Sequence, residues 1–341
     1  MDLSGISFTC GEVKHGFHVS LLVGLPWRNR IRTRACGIVG IKFCKDDNRK
    51  NDTNKQANHK DEFEAIWLID SITGYFALQI PIYQIDAFTE TLFGGNPAAV
   101  CPLERWLDDD VLQSIASENN LSETAFFVAE GAGFRLRWFT PSVEVDLCGH
   151  ATLAAGYVIL NHLMLLSREV AFETRSGTLN VRRNGKGLTM DFPALPPGEV
   201  FAPEIAILEA MGLAPQLCMR IRELHGSPYI FLVYEAQSQV AGLKPAYSSL
   251  HANVIATAPG DNVDFVSRFF APMAGIDEDP VTGSAHCTLV PYWAERLGKS
   301  ELTARQISKR GGDVSCKIEG DRVILGGKCA FYMEGRIHVP D

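Results

Sequence analysis

Gly275-Ile276-Asp277-Glu278-Asp279-Pro280-Val281-Thr282-Gly283-Ser284-Ala285-His286 is an acidic loop that runs through a proline into the first turn of a predicted helix. The N–H groups of a first helical turn have no partner inside the helix, so they can hold an anion. Asp279, four residues before Gly283, is a candidate acid/base. A second helix start of the same kind stands at Asp146-Leu147-Cys148-Gly149-His150-Ala151-Thr152. Two such mouths in one chain suggest a substrate carboxylate or oxyanion held between two lobes.

The two segments read as copies of one unit. Phe139-Thr140-Pro141 leads to Gly149-His150-Ala151-Thr152-Leu153 and Tyr157, and Phe270-Ala271-Pro272 leads to Gly283-Ser284-Ala285-His286-Cys287 and Tyr292. Each copy has Phe-x-Pro, a polar loop, a glycine-opened helix and an aromatic about two turns on.

Outward from these mouths the pattern is one of short strands. Residues 82–88, 123–128, 134–139, 169–174, 178–183 and 187–192 read as strands, and 107–117 as a helix with three aspartates in its first turn. Ala151 to Leu165 is an apolar, buried helix. The prolines at 193, 196 and 197 mark a boundary between lobes. The second half reads as a helix at 204–211, strands near 219–225 and 229–235, a helix at 285–297 and short strands to the end. Many short strands around one long apolar helix per lobe predict an α+β fold, each lobe a mixed sheet rolled into a barrel-like shape around a central helix. The expected division is lobe 1 at 81–195 and lobe 2 at 196–341, with a return of the last strand to lobe 1 left open.

Composition narrows the function classes. The chain has 341 residues, 46% hydrophobic and 21% charged, with a net charge of −8. That balance is ordinary for a globular protein and argues against a nucleic-acid binder. Nine cysteines are scattered without a Cys-x-x-Cys pair, a usage that fits reduced thiols in the cytoplasm. No apolar run has the length needed to span a bilayer. Residues 1–80 differ from the rest: the first 60 hold 11 Lys/Arg against 5 Asp/Glu, and Lys45–Asp61 is too polar to fold alone. This segment is expected to be a poorly ordered extension outside the fold, and a targeting role for it stays open. No P-loop, no dinucleotide fingerprint and no zinc-like histidine spacing is present, so neither cofactor nor metal is expected.

Five ordered motifs then carry a resemblance. They are Tyr83-Gln84-Ile85-Asp86-Ala87-Phe88-Thr89, Phe93-Gly94-Gly95-Asn96-Pro97-Ala98, Asn119-Asn120-Leu121-Ser122-Glu123-Thr124-Ala125-Phe126, Cys148-Gly149-His150-Ala151-Thr152 and Glu278-Asp279-Pro280-Val281-Thr282-Gly283-Ser284-Ala285. Over about residues 81–341 the chain resembles the PhzF (phenazine-biosynthesis) family. The resemblance implies a diaminopimelate-epimerase-like fold of two pseudo-symmetric lobes, cofactor-independent isomerase chemistry and a homodimer.

Residue by residue, it implies that Glu123 is the general acid/base, with His150 and Asp279 as supporting catalytic groups. Gly149, Gly283 and Ser284 match positions whose N–H groups meet the substrate carboxylate. Cys148 stands where epimerases of the same fold carry one of two thiols. The matching loop of the second lobe has no cysteine, so Cys148 is read as a small buried residue at the edge of the substrate site. The helix N-terminus at His150 disfavours an imidazolium and favours a neutral, hydrogen-bonding imidazole.

The expected reaction is a proton shift within a small carboxylate-bearing metabolite. The rivals are an amino- or hydroxy-acid epimerase or racemase using Glu123 with Cys148 or Asp279 on opposite faces, and a non-catalytic binding protein. Lys309 and Arg310 read as a solvated strand end.

Overall fold

The computed structural model describes residues 78–221 and 228–339, together with short backbone pieces at 18–20 and 42–44. Two compact units divide the chain, Met1–Thr73 and Gly74–Asp341. Of the first unit, an antiparallel pair is described, β1 (His18–Ser20) with β2 (Lys42–Cys44). The expected disorder of residues 1–80 otherwise falls outside the described residues up to position 77. From Leu78 the chain is already in a strand, three residues before the boundary placed at Pro81.

The second unit is built from one strand course followed twice. In the first run β3 (Leu78–Ala87) lies antiparallel to β4 (Asn96–Leu103). Helix α1 (Asp109–Asn119) crosses over, and β5 (Glu123–Glu130) joins β4 in parallel. The strand β6 (Gly133–Phe139) returns antiparallel and pairs with the two-residue β7 (Glu144–Val145). Helix α2 (Gly149–Val158) follows; β8 (Glu169–Thr174) then joins β6 in parallel, and β9 (Gly177–Asn184) and β10 (Gly187–Pro193) complete a meander.

After a short helix α3 (Ile205–Met211) the second run repeats each step. β11 (Leu217–Arg220) is antiparallel to β12 (Tyr229–Val233), helix α4 (Gln237–Gly242) crosses over, and β13 (Asn253–Pro259) is parallel to β12. β14 (Phe265–Phe270) pairs with β15 (Glu278–Asp279), helix α5 (Gly283–Leu297) follows, and β16 (Glu301–Gln306), β17 (Gly312–Glu319) and β18 (Arg322–Gly327) close the run. An antiparallel β10–β18 ladder joins the runs, and the last strand, β19 (Cys329–Val339), lies along β3. The fold is α+β.

Both central helices are explained by what surrounds them. Every residue of α2 except Tyr157 is buried, as a helix without a polar face requires. It packs against β3, β4, β5, β9 and β10, so the sheet curls round it. Helix α5 packs against β16, β17 and β18 and contains Pro291, whose missing N–H frees the carbonyl of Cys287. The Leu195 N–H, from the proline-rich connection between the runs, fills that acceptor at 2.9 Å. Trp293 stacks on Phe265 at 5.7 Å between centroids and donates Nε1 to Thr257 Oγ1 at 3.0 Å.

Side chains repeat along with strands. Arg137 makes a two-pronged ion pair with Glu144 at 2.7 and 2.8 Å, and Arg268 makes the same pair with Glu278 at 2.7 and 2.8 Å. Each guanidinium lies over the phenylalanine two residues on, Phe139 or Phe270. Each pair ties the loop before a central helix to the strand that leads into it.

Besides the two-residue β7 and β15, the sequence expectation lacked β13 and β14. Six of seven residues of β13 are buried, so no polar face alternates with an apolar one and no period of two exists to read.

Candidate active site

Gly149 and Gly283 bring the two helix starts together. A Cβ on either would lie 3.1 Å from the Cα of the other, so only glycine permits this approach without the helix ends shifting. The open N–H groups of both first turns therefore face one small region. Ser284 is half-buried beside it, and Cys148 and Thr282 occupy the same N-cap position on the two helices.

Around this junction the structure gathers Glu123 from the start of β5, His150 from α2 and Asp279 from β15. His150 Nε2 lies 3.1 Å from Glu123 Oε2, and neither atom has an aligned hydrogen-bond partner. The His150 side chain is 4% exposed and that of Glu123 19%, so Glu123 is the member that reaches solvent. Asp279 is held on both oxygens: Asn96 Nδ2 donates to Oδ1 at 2.8 Å and Thr282 Oγ1 donates to Oδ2 at 2.5 Å.

Two amides that the sequence reading did not single out hold these groups. Asn96, at the start of β4 and fully buried, also has Nδ2 3.0 Å from the Val281 carbonyl and 3.1 Å from His150 Nδ1. Gln306, at the end of β16, donates Nε2 to the Asp279 carbonyl at 2.7 Å and accepts from the Thr282 N–H at 2.9 Å. The signal for Asn96 was present in Gly94-Gly95-Asn96-Pro97. Gly95, with φ +59, already makes the turn, which leaves the asparagine free for another task.

The basic pair after β16 is corrected by the structure. Arg310 is no solvated end: it donates to Asp86 and to the carbonyls of Gly94 and Gly95, each at 2.8 Å, clamping the turn that presents Asn96.

Burial and charge set the protonation of the cluster. Burial pushes Asp279 up to about 6 and the negative charge of Glu123 adds to it, against His150 and the donors Thr282 and Asn96. Burial, with a smaller push from Glu123, raises the Cys148 thiol to about 11, so it is uncharged at neutral pH. Burial alone lowers His150, but negative charge on Cys148 and Glu123 and hydrogen bonds to them raise it well above the histidine range. With Cys148 uncharged at neutral pH, the pull that remains is that of Glu123. Against it, the Asn96 amino group and the Cys148 thiol, 3.5 Å away, both face Nδ1 as donors.

Glu123, Cys148 and His150 offer an oxygen, a sulfur and a nitrogen within 4.8 Å of one another. Of these atoms, His150 Nδ1 and Cys148 Sγ contact each other, and Glu123 Oε2 and His150 Nε2 face one another. A cavity of about 420 Å³ between Lys186, Lys328, Ser315 and Gly326 shares no residue with the cluster. Among the described residues, no helix is long and apolar enough to cross a membrane.

Comparison with known proteins places the fold and class. The model of the phenazine biosynthesis-like (PhzC-PhzF) family matches residues 85–335. An uncharacterized isomerase of Pseudomonas aeruginosa is 48% identical over 266 residues, 77% of this chain and all of that protein. A human phenazine biosynthesis-like domain-containing protein is 38% identical over 294 residues, 76% of this chain and 99% of its own length. The crystal structure of a PhzF-family protein from Enterococcus faecalis, 42% identical, superposes with a TM-score of 0.73 over 77% of this chain and all of that one. The chain belongs to the PhzF family. It is an enzyme of the isomerase class.

Proposed function

We propose that the enzyme moves a proton between two carbons of a small carboxylate-bearing metabolite, with Glu123 as the general acid/base and without a cofactor. One observation carries this reading: of the three acid/base side chains in the cluster, Glu123 alone is partly exposed, and no aligned donor holds its buried oxygen Oε2. Asp279 is buried with a donor on each oxygen, a setting that fixes it in place away from solvent.

In the reaction, the N–H groups at Gly149, Gly283 and Ser284 bind the substrate carboxylate and stabilise negative charge as a carbon is deprotonated. Glu123 takes that proton, and His150, at 3.1 Å, positions the carboxyl group between removal and return. Asp279 fixes the loop that opens α5, and Cys148 lines the site as a neutral thiol. The enzyme acts in the cytoplasm, a reading that rests on its scattered cysteines, and as a homodimer, a reading that rests on the family resemblance.

The test is a panel of small carboxylates incubated in deuterated water with the enzyme and with Glu123→Gln. Label uptake by the enzyme and none by the folded variant supports the assignment; equal uptake by both ends it. The epimerase reading keeps one supporting observation, the contact of the Cys148 thiol with His150 Nδ1, through which the imidazole would take the thiol proton.

A further inference from the structure

We infer that Asn96 is a positioning residue that fixes the tautomer of His150, holding its proton on Nε2 toward Glu123. The inference rests on the proposed role of Glu123 only for its consequence; the tautomer itself is a property of the resting protein.

One acceptor beside Asn96 cannot change its role. The Val281 carbonyl only accepts, so the Asn96 atom 3.0 Å from it is the amino nitrogen and not the oxygen. The Asp279 carboxyl at 2.8 Å asks for the same orientation. That orientation leaves Asn96 Oδ1 buried without a partner, which has a cost, and the reverse would set the oxygen against two acceptors at once. The amino group, whose two hydrogens serve the Val281 carbonyl and the Asp279 carboxyl, therefore also faces His150 Nδ1 at 3.1 Å and offers it no acceptor. A proton on Nδ1 would point donor at donor. The Cys148 thiol, 3.5 Å from the same nitrogen, satisfies an unprotonated Nδ1 as well. The proton then belongs on Nε2, 3.1 Å from Glu123 Oε2.

Asn96 has little freedom to release this hold. An added Cβ at Gly95 would lie 2.1 Å from the Ala87 carbonyl, so the turn accepts only glycine. Arg310 and the Gly95 N–H to Gly311 carbonyl bond of 2.8 Å lock the same turn from the second run. The consequence is directional. With Nε2–H facing Glu123, the imidazole presents a donor and no acceptor to that carboxyl, so His150 does not compete for the substrate's proton.

The experiment is long-range ¹H–¹⁵N spectroscopy of the histidine rings at neutral pH, with His150 assigned by His150→Gln. The expected pattern is a neutral ring protonated on Nε2. A ring protonated on Nδ1, or on both nitrogens, overturns the inference. Asn96→Leu and Asn96→Asp remove the facing donor, and in either folded variant protonation at Nδ1 is expected to appear. An unchanged tautomer there assigns the control elsewhere and also overturns it. If both variants unfold, the spectrum of the unaltered protein decides alone. No substrate enters these measurements, so their failure is separate from a failure of the Glu123 assignment.

Discussion

The two helix mouths share a scaffold and differ in chemistry. In both, an arginine–glutamate pair braces the loop, and a side chain one turn into the helix bonds back to the N-cap carbonyl: Thr152 to Cys148 at 2.5 Å, His286 to Thr282 at 2.7 Å. At the mouth itself the matching pairs part. Glu123 of β5 corresponds in register to Asn253 of β13, Cys148 to Thr282, and His150 to Ser284. The first run carries the groups proposed to exchange protons, and the second carries Thr282 and Gln306, which hold Asp279 and the loop. Duplication kept the frame, and the proposed division of labour lies in side chains that the frame does not need.

The largest effect should come from breaking that division at Glu123. Glu123→Gln keeps the shape and removes the transferable proton, so turnover is expected to fall by about 10²–10⁴-fold with substrate affinity little changed. Steady-state kinetics on a converted substrate checks this. A fall in the melting transition instead would make Glu123 structural.

The braced glutamates predict unequal costs in the two halves. Arg268→Met leaves the mostly buried Glu278 without its ion partner and is expected to destabilise the fold by about 3 kcal/mol in urea unfolding. Arg137→Met leaves Glu144 a second partner, Arg175 at 2.7 Å, and is expected to cost less. Equal costs would mean that Arg175 gives Glu144 no support.

His286 sharpens the comparison through pH. Burial lowers it to about 4 from 6.5, so its contribution is present above pH 6.5 and is lost as pH falls through 4, about 3 kcal/mol in all. Asp279, raised to about 6, runs the other way: its contribution is present below 3.8 and lost as pH rises through 6. The two slopes oppose each other between pH 4 and 6. Against the unaltered protein, His286→Gln should therefore become relatively more stable as pH drops from 6.5 to 4. Melting temperatures of both proteins across that range check the sign.

Smaller effects test the junction and the thiol. Gly149→Ala must push the helix ends apart by a few tenths of an ångström, with a loss in substrate affinity of about tenfold, below the 10²-fold that a full ångström can cost. Gly283→Ala should match it, because the contact is reciprocal. Cys148→Ser should change turnover least, by less than about tenfold if the thiol only lines the site. A collapse of activity there would move the mechanism toward the epimerase reading.

Much of the frame was legible in the sequence. The helix starts at Gly149 and Gly283 and the strands of β8, β9 and β10 follow from glycine punctuation and short alternating runs. The buried strand β13 was not, because burial on both faces erases the period. The candidate site was legible only in part. Asp279 stood out by its place before the helix at Gly283 and the roles of Glu123 and His150 came from the family motifs, whereas their assembly depends on Asn96 reaching Asp279 across 183 residues of sequence. No local pattern reports such a contact. Gln306 went unnoticed and Arg310 looked like an ordinary strand-end residue because most of their partners are backbone groups, which every sequence has.

The most direct test of the account is the stereochemical course of the reaction in deuterated water. A single proton carrier on the first run predicts that deuterium enters the product on the face from which the proton left, with recovered substrate keeping its configuration. Inversion of the substrate, with label arriving on the opposite face, would contradict the account and show that the second mouth also exchanges protons.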